Sequence, residues 1–496
     1  METSIKVLPN FKKYNAYIED VKNKVNPMML SGLTDSGKVH FAYSTHFYAE
    51  RPILFITYNE IQAKKIIKDL NYFTEDVLFF PKREIFTYDY VAESKDTFYQ
   101  RMNVLNSLNL GNAQVIVTTI EAIMQKMPAK ATLYKNQIII KQGETVDIES
   151  LKEKLVLLGY ERYDLVESGG QFSSRGGIID IAISSKKGVR IELWGDEVDS
   201  IRYFDLNTQR STDMIKQVEI NPVHEFVLER PIEEICRLIR DNSKADEETI
   251  EEDIATIKEG DYTSRVDKYF NSFYEKQADI LDYISDNFII FIDEMSKIKA
   301  RAENIIKDKD EVIKGLIEKE KTVPDSLKLM QEYLQFAEKI QKKQVIYLEK
   351  QDIGFIDKQT MHAKRNGYSF SYREVNFFRS SMDLLFEELQ KAVIAEKTVI
   401  LLGGSLDNCM KLGETLTQRE IPHQFVDNNK DVTPGVVYVA QGVISAGFEV
   451  FDFNLLIISG EELFTPPKKR KPVSSAFKQG ETVVFADLKP RRLHRS

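Results

Sequence analysis

Apolar and polar positions alternate most regularly between residues 166 and 205, and this alternation predicts a three-stranded antiparallel meander. The predicted strands are 177–183, 189–194 and 198–204, and segments rich in Ser, Lys, Gly and Asp supply the two reversals. An antiparallel sheet buries one face in the core, so the role of the other face depends on what packs against it.

The second strand of the meander has different chemistry on its two faces, because successive side chains of a strand point to opposite sides. The inward set is Val189, Ile191 and Leu193, and the outward set is Arg190, Glu192 and Trp194, the chain's only tryptophan. Arg175 is expected at the mouth of the neighbouring strand. Tryptophan and arginine supply much of the binding energy at protein interfaces, but tryptophan is also highly buried on average. The pattern therefore leaves an interface and a second core as alternatives.

Residues 1 to about 130 alternate predicted strands with helices, which is typical of an α/β domain with a parallel sheet. Strands are predicted at 27–30, 52–58, 76–80 and 113–119, and helices at 61–70 and 94–108. Later in the chain, amphipathic helices are predicted at 296–317 and 324–343.

A glycine-rich segment follows the first of these strands. Gly32-Leu-Thr-Asp-Ser-Gly37-Lys38-Val39 matches the GxxxxGK pattern of phosphate-binding loops except at its last position. In a working loop, backbone N–H groups surround the phosphates, the lysine reaches the β and γ oxygens, and a Ser or Thr hydroxyl ligates Mg²⁺. Val39 has no oxygen to offer. We interpret Gly32, Gly37 and Lys38 as a degenerate nucleotide site, with a working hydrolase site and a chance match as the alternatives.

An apolar stretch at 288–292 ends in Asp293 and Glu294. Helicase-type ATPases present a Mg²⁺-linked carboxylate and a water-polarising glutamate in this way, although any buried strand that ends in acids has the same pattern. Together with Lys38, these acids predict one helicase-like lobe that the meander domain interrupts.

Two stretches, SSRGGIIDI at 173–181 and VRIELWGDEVDSIRYFD at 189–205, resemble the signature of the UvrB-like module in UvrB and in the bacterial transcription-repair coupling factor (Mfd) family. The resemblance implies that this domain binds UvrA, with Arg175, Arg190 and Trp194 at the family's binding positions. It also implies the fold class, an α/β protein with a degenerate helicase-like (P-loop NTPase-type) lobe, an inserted antiparallel-β interaction domain and a second small α/β domain.

The resemblance sets the expected division of the chain. The lobe is expected at 1–130 and 231–350, the UvrA-binding domain at 131–230, the small α/β domain at 351–464, and a linker with an out-of-frame tail at 465–496. Within the small domain, Ser445 to Phe448 resemble a reduced piece of a second helicase lobe, and a structural role is favoured. UvrB carries a DNA-gripping hairpin near the position of residues 86–90. Here that loop leads almost directly into a helix, so no hairpin is expected.

The last residues resemble the family only in part. Ala486 to Pro490 match the segment that opens the family's RNA-polymerase-binding domain, and the match stops at Arg491. One permissible coding of 491–496, read in a shifted frame, continues the family sequence. We therefore expect an N-terminal half that a frameshift truncates before the polymerase-binding domain. The basic run at 468–471 is interpreted as part of a linker, with a nucleic-acid patch as the alternative.

The resemblance implies that this chain recruits UvrA to stalled transcription complexes in nucleotide excision repair. The full-length family also contacts RNA polymerase and double-stranded DNA, and its motor uses ATP and Mg²⁺, but no cofactor is expected for this chain. Whether the chain is an enzyme stays open. The alternatives are a lobe with residual ATPase activity and an inert truncated product.

Composition adds limits to this interpretation. A chain of 496 residues with 42% hydrophobic content is long enough for several domains. The net charge of −9 argues against tight, sequence-independent DNA binding by the whole surface. Cys236 and Cys409 lack CxxC spacing, which indicates a reducing compartment and no zinc site. No segment has the pattern of a membrane span or a signal peptide, so a cytoplasmic location is expected.

Overall fold

The computed structural model describes residues 3–83, 95–184, 186–243, 245–260, 265–319, 323–351, 366–375, 382–426 and 432–460. The loop at 86–90 and the expected linker and tail at 465–496 lie outside these residues, so the expectations attached to them stay predictions. Among the helices of the described ranges, none combines the length and the apolar character needed to cross a bilayer.

The chain begins with an α/β segment in which side chains cap the helices that follow strands. Thr34 accepts a hydrogen bond from the Gly37 N–H at 3.1 Å, and Asn59 accepts one from the Gln62 N–H at 2.8 Å. The elements are α1 (Thr3–Lys6), α2 (Lys12–Lys22), β1 (Met28–Ser31), α3 (Asp35–Ala49), β2 (Ile53–Thr57), α4 (Glu60–Leu70), β3 (Val77–Phe80), α5 (Lys95–Leu110), β4 (Val115–Thr119), α6 (Ile120–Met124), β5 (Met127–Pro128) and α7 (Lys130–Leu133).

The next segment is almost entirely β-structure with one helix. Its elements are β6 (Ile138–Lys141), α8 (Ile148–Leu157), β7 (Glu161–Arg162), β8 (Gln171–Arg175), β9 (Ile178–Ala182), β10 (Lys187–Trp194), β11 (Glu197–Asp205), β12 (Ser211–Ile215) and β13 (Gln217–Ile220). Gly195 has a φ of +64° in the turn between β10 and β11, a conformation that glycine adopts without steric cost.

The chain then returns to helices and buried strands. The elements are α9 (Ile232–Asn242), α10 (Glu247–Lys258), α11 (Phe270–Phe273), β14 (Gln277–Ala278), α12 (Ile280–Tyr283), β15 (Ile289–Asp293), α13 (Met295–Glu318), α14 (Asp325–Lys328), α15 (Tyr333–Ile340) and β16 (Gln344–Glu349). The single helix predicted at 324–343 is wrong, since α14 and α15 are separate. Between them the backbone N–H of Gln331 donates to the Met124 carbonyl at 2.9 Å, a tertiary hydrogen bond in place of a helical one.

The last described segment is a second α/β arrangement. Its elements are β17 (Asn366–Ser369), β18 (Tyr372–Val375), α16 (Met382–Ile394), β19 (Thr398–Gly404), α17 (Leu406–Gln418), β20 (His423–Phe425), β21 (Val437–Gln441), β22 (Gly447–Val450) and β23 (Leu455–Ser459).

A seven-stranded parallel sheet unites strands from both sides of the inserted β-structure. Its order is β17-β1-β16-β15-β2-β4-β3. Helices and the remaining chain cover both faces, as the complete burial of β1, β2, β4, β15 and β16 requires. The lobe interrupted by an insertion is therefore confirmed. Strand β17 follows the boundary predicted at residue 350 but pairs with β1 in this sheet.

The inserted β-structure contains a six-stranded sheet in the order β12-β11-β10-β9-β8-β7. The predicted meander is confirmed as β9, β10 and β11, and three further strands extend it on both sides. The inner face packs a hydrophobic core that includes Phe172, Ile179, Ile181, Val189, Ile191 and Ile201.

The third sheet has the order β18-β22-β23-β19-β21-β20. We call β18 to β23 with α16 and α17 the third unit. One face of its sheet packs against the helices α16 and α17. The other contributes to a hydrophobic cluster that also contains Phe41, Phe55 and Phe291 of the lobe. The lobe and the third unit therefore share a core.

Candidate functional site

The outer face of the six-stranded sheet contains the three residues that the sequence indicated for partner binding. Arg190 pairs in register with Asp180 on one side and with Arg202 on the other. Residues two positions apart along a strand share a face. The outer face therefore contains Ser173, Arg175, Ile178, Asp180, Ala182, Arg190, Glu192, Trp194, Arg202 and Phe204.

Half of this face is covered by the chain itself. Val166, Ala182, Phe204 and Leu206 form a small buried cluster. The side-chain amide of Gln209 donates a hydrogen bond to the Val166 carbonyl at 2.9 Å and holds the covering segment in place. The second-core interpretation is correct for this half of the face.

The other half is open, and we call it the open half. Trp194 is 86% exposed and Ile178 is 39% exposed. Arg175 immediately precedes the turn between β8 and β9, and Trp194 immediately precedes the turn between β10 and β11. Because β8 to β11 run alternately in opposite directions, these two turns lie at the same end of the sheet. A second core around Trp194 itself is therefore excluded.

Arg190 lies on the border between the covered and open halves and has a fixed position. Its Nε and a terminal nitrogen contact the two carboxylate oxygens of Asp180 at 2.7 and 2.8 Å. The guanidinium carbon also lies 5.2 Å from the centre of the Phe204 ring. The bidentate hydrogen bond to Asp180 raises the pKa of Arg190. The Arg190 side chain is therefore held in one orientation by Asp180.

Two further contacts order the open half. Arg202 pairs with Glu192, whose pKa this arginine lowers. Arg175 donates to the backbone carbonyl of Asp164, which also accepts a hydrogen bond from the Ser173 hydroxyl at 3.0 Å. Among the described residues this carbonyl is the hydrogen-bond partner of Arg175, so other guanidinium donors of Arg175 stay available.

The degenerate loop comprises the connection between β1 and α3 and the first turns of α3, and it brings distant residues together. Lys38 is 1% exposed, and its ammonium lies 2.7 Å from Asp293 Oδ1 and also contacts Glu294 Oε1. Burial alone would lower the pKa of Lys38, but the two carboxylates outweigh burial and raise it. The predicted association of Lys38 with the acids at the end of the 288–292 strand is observed.

The carboxylates around Lys38 also have protein partners. Asp293 accepts a hydrogen bond from the Thr57 hydroxyl at 2.8 Å, and Glu294 accepts one from the Lys350 backbone N–H at 2.9 Å. Lys38, Asp293 and Glu294 therefore form a network of ion pairs and hydrogen bonds inside the lobe.

The residues of the loop do not fit a nucleotide with Mg²⁺. Lys38 is neutralised by carboxylates, and Val39 is a buried apolar side chain where a hydroxyl is needed. The carbonyl oxygen of Phe370 lies 1.9 Å from the place of a Cβ on Gly32, so protein occupies the space beside the loop. We derive no catalytic step through a nucleotide at this site.

Comparison with known proteins finds similarity over both candidate sites, the outer face of the six-stranded sheet and the degenerate loop. A model of the UvrB interaction domain matches residues 138–226, which include the whole six-stranded sheet. The transcription-repair-coupling factor of Bacillus subtilis (strain 168) is 31% identical over 501 residues, covering 97% of this chain and 42% of that protein. The chain is homologous to the transcription-repair coupling factors.

Two further transcription-repair-coupling factors give similar alignment coverage. Proteins of the same name are 27% identical over 481 residues in Staphylococcus aureus (strain bovine RF122 / ET3-1) and 29% identical over 484 residues in Staphylococcus epidermidis (strain ATCC 35984). Each match covers 93% of this chain and 40% of the relative. The chain therefore spans about two fifths of the length of these transcription-repair coupling factors, and the resemblance identified from the sequence is confirmed.

The structure adds residues that sequence reasoning missed on the UvrB interaction domain. Asp180 orients Arg190, Asp164 contacts Arg175, and Ile178 adds exposed apolar surface. Alternation along the 177–183 strand could have placed Ile178 and Asp180 outward. The contact through Asp164 depends on a non-local loop, and the local pattern contains no signal for it.

Glu349 gives a pH prediction for the lobe of this transcription-repair coupling factor homologue. Burial, with smaller contributions from Glu294 and Asp293, raises its pKa from 4.5 to about 7. A raised carboxyl pKa means that the folded state holds a proton that the unfolded state has lost. Stability from this group is therefore present below pH 4.5 and is lost as pH rises to about 7, by up to roughly 3 kcal/mol.

The measurement compares wild type with Glu349→Gln in urea titrations from pH 5 to pH 8. In wild type the Met295 N–H donates a hydrogen bond to Glu349 at 3.0 Å, and the glutamine side chain keeps an oxygen that can accept it. Relative to wild type, the variant is expected to gain stability as pH rises. Parallel stability curves would show that Glu349 does not titrate in this range.

Proposed function

We propose that the chain recruits UvrA through the open half of the outer face, as part of a transcription-repair coupling factor. The observation that carries the proposal is the 86% exposure of Trp194 at the same end of the sheet as Arg175. Tryptophan and arginine are the residue types most enriched among interface hot spots. The match of the UvrB interaction domain to residues 138–226 supports UvrA as the partner.

The remaining activities belong to the whole protein and are also proposals. A complete transcription-repair coupling factor would use ATP hydrolysis in a separate motor to act on stalled RNA polymerase and double-stranded DNA. The chain described here would contribute recruitment of the repair machinery, in the cytoplasm and without a bound cofactor.

A residual ATPase in the lobe is the second candidate function. It is favoured only by the proximity of Lys38 to Asp293 and Glu294. The Lys38 ammonium is already paired with these carboxylates, and Val39 supplies no Mg²⁺ ligand. If the chain showed Mg²⁺-dependent ATP turnover that Lys38→Ala abolished, the ATPase hypothesis would be correct.

Trp194→Ala is expected to weaken UvrA binding by about 2 kcal/mol or more, which is roughly a 30-fold rise in Kd. The substitution removes the large exposed ring without touching the core. Arg175→Glu is expected to weaken binding by a similar amount, because it reverses the charge offered to a partner carboxylate. Isothermal titration of the purified chain with UvrA measures both effects.

Ile394→Ala is the matched control, since Ile394 is 82% exposed but lies in the third unit. It is expected to leave the affinity unchanged. Wild-type affinity in well-folded Trp194→Ala and Arg175→Glu proteins would move the interface elsewhere. No binding by wild type would favour an inert product.

A further inference from the structure

The degenerate loop is covered by the connection between β17 and β18 and by the third unit. The connection between β17 and β18 runs along the loop backbone. The Phe370 N–H donates to the Ser31 carbonyl at 2.9 Å, and the Tyr372 N–H donates to the Gly32 carbonyl at 3.1 Å. One main-chain hydrogen bond therefore connects β1 to the β17–β18 connection, and a second connects the loop to the first residue of the third unit.

The two glycines of the loop allow this close approach. Gly32 has a φ of +79°, and a Cβ there would lie 1.9 Å from the Phe370 carbonyl oxygen. A Cβ on Gly37 would lie 2.5 Å from the ring of Tyr372, a partly buried side chain that packs against the hydrophobic cluster of the lobe. Close packing therefore requires both glycines, independently of any phosphate group: Gly32 packs against Phe370, and Gly37 packs against Tyr372 and the Thr34 hydroxyl.

The first turn of α3 binds a second segment of the third unit. The Ser36 hydroxyl donates to Asp69 at 2.8 Å and accepts from the Ala446 N–H at 3.2 Å. The Ser445 N–H donates to the other oxygen of Asp69 at 2.5 Å. Ser445 and Ala446, which belong to the segment that resembles a reduced helicase lobe, thus bind Asp69 of α4 and Ser36 of the loop.

Aromatic contacts surround these hydrogen bonds. The rings of Phe41 and Phe370 lie 4.7 Å apart, and the ring of His40 lies 5.4 Å from that of Phe448. Burial lowers the pKa of His40 to about 4, so this ring is neutral at neutral pH. The polar contacts are therefore enclosed by uncharged, packed side chains.

We propose that the degenerate phosphate-binding loop is an internal docking surface, on which the Phe370 carbonyl and the Tyr372 ring occupy the space that nucleotide phosphates would need. Its partner is the third unit of the same chain together with the β17–β18 connection that leads into it, and the contacts are at Gly32, Gly37 and Ser36. The inference goes beyond UvrA recruitment and does not depend on it. It gives the loop a role in fixing the third unit to the lobe.

Gly37→Ala in the full chain tests this proposal by hydrogen–deuterium exchange. The added methyl group meets the Tyr372 ring, so exchange in 366–375 and 444–450 is expected to rise by about tenfold or more through local opening. Gly315→Ala is the control, because Gly315 is also helical and its Cβ would meet nothing within 4 Å. Exchange in these segments is expected to stay at the wild-type rate in the control.

Ser36→Ala provides a milder variant if Gly37→Ala does not fold. It removes the acceptor of the Ala446 N–H, so faster exchange is expected around residue 446, with strands β2 and β15 still protected. Wild-type exchange in both variants would overturn the proposal. Saturable protection of residues 31–38 from exchange by Mg²⁺-ATP would also overturn it, if wild type shows this protection and Lys38→Ala does not. The docked protein and a nucleotide would need the same space.

Discussion

Replacing Lys38 with methionine is expected to lower the free energy of unfolding by about 3 to 5 kcal/mol near pH 8. The ammonium is the cation that faces both Asp293 and Glu294, and its removal leaves two carboxylates inside the lobe without a countercharge. Methionine fills a similar volume, so the loss reports charge rather than a cavity. Urea titrations followed by circular dichroism measure it.

Neutral replacements of the two carboxylates separate this explanation from poor packing. Adding Asp293→Asn and Glu294→Gln should recover part of the loss at pH 8. Lys391→Met is the control, because the Lys391–Glu388 contact of 2.8 Å is exposed and should matter far less. A loss that the Asp293→Asn and Glu294→Gln substitutions do not reduce would contradict the charge explanation.

The assembly of this charged site was predictable because each half has a local pattern. The GxxxxGK spacing placed Lys38 at the start of a helix, and the apolar run before Asp293 placed that carboxylate at the end of a buried strand. These residues are 255 positions apart in the sequence but 2.7 Å apart in space. Parallel strands of one sheet, β1 and β15, bring both ends to the same edge.

The role of the outer face was only partly predictable. Period-two alternation placed Trp194 and Arg190 on one side of β10, and the register confirms that they share a face. What covers that face is a tertiary property. Val166 and Leu206 come from loops on either side of the meander, and their contact with Phe204 has no signal within the strands themselves. Pattern reasoning therefore left interface and core undecided, and the face contains both.

The contact between the loop and the third unit was not predictable from local pattern. Gly32 and Gly37 are explained equally well by phosphate binding and by close protein packing. Only the position of Phe370, more than 300 residues away in the sequence, distinguishes these explanations. Likewise, the break between α14 and α15 depends on hydrogen bonds from Gln331 to α6, which helical periodicity does not encode.

Arg101→Met is the second substitution with a large expected effect, a loss of about 3 to 5 kcal/mol in the free energy of unfolding at pH 7. Arg101 and Glu225 are 1% and 0% exposed in their side chains and form a bidentate pair, and Arg101 also donates to the Pro81 carbonyl at 2.6 Å. Glu225 lies where the UvrB interaction domain returns to the lobe. The variant would leave its carboxylate buried and unpaired.

Arg240→Met is the matched control for this prediction. Arg240 and Glu251 form a bidentate pair of the same chemistry, with contacts of 2.6 and 2.9 Å, but their side chains are 45% and 51% exposed. Water solvates either partner after the other is removed, so only a small loss is expected.

Burial alone would raise the pKa of Glu225, but Arg101 outweighs it and lowers that pKa. The stability from the buried pair is therefore present at neutral pH and is lost in acid. Equal losses in the two variants would show that burial does not set the strength of the Arg101–Glu225 pair. The comparison thus measures how much the buried Arg101–Glu225 pair stabilises the chain where the UvrB interaction domain meets the lobe.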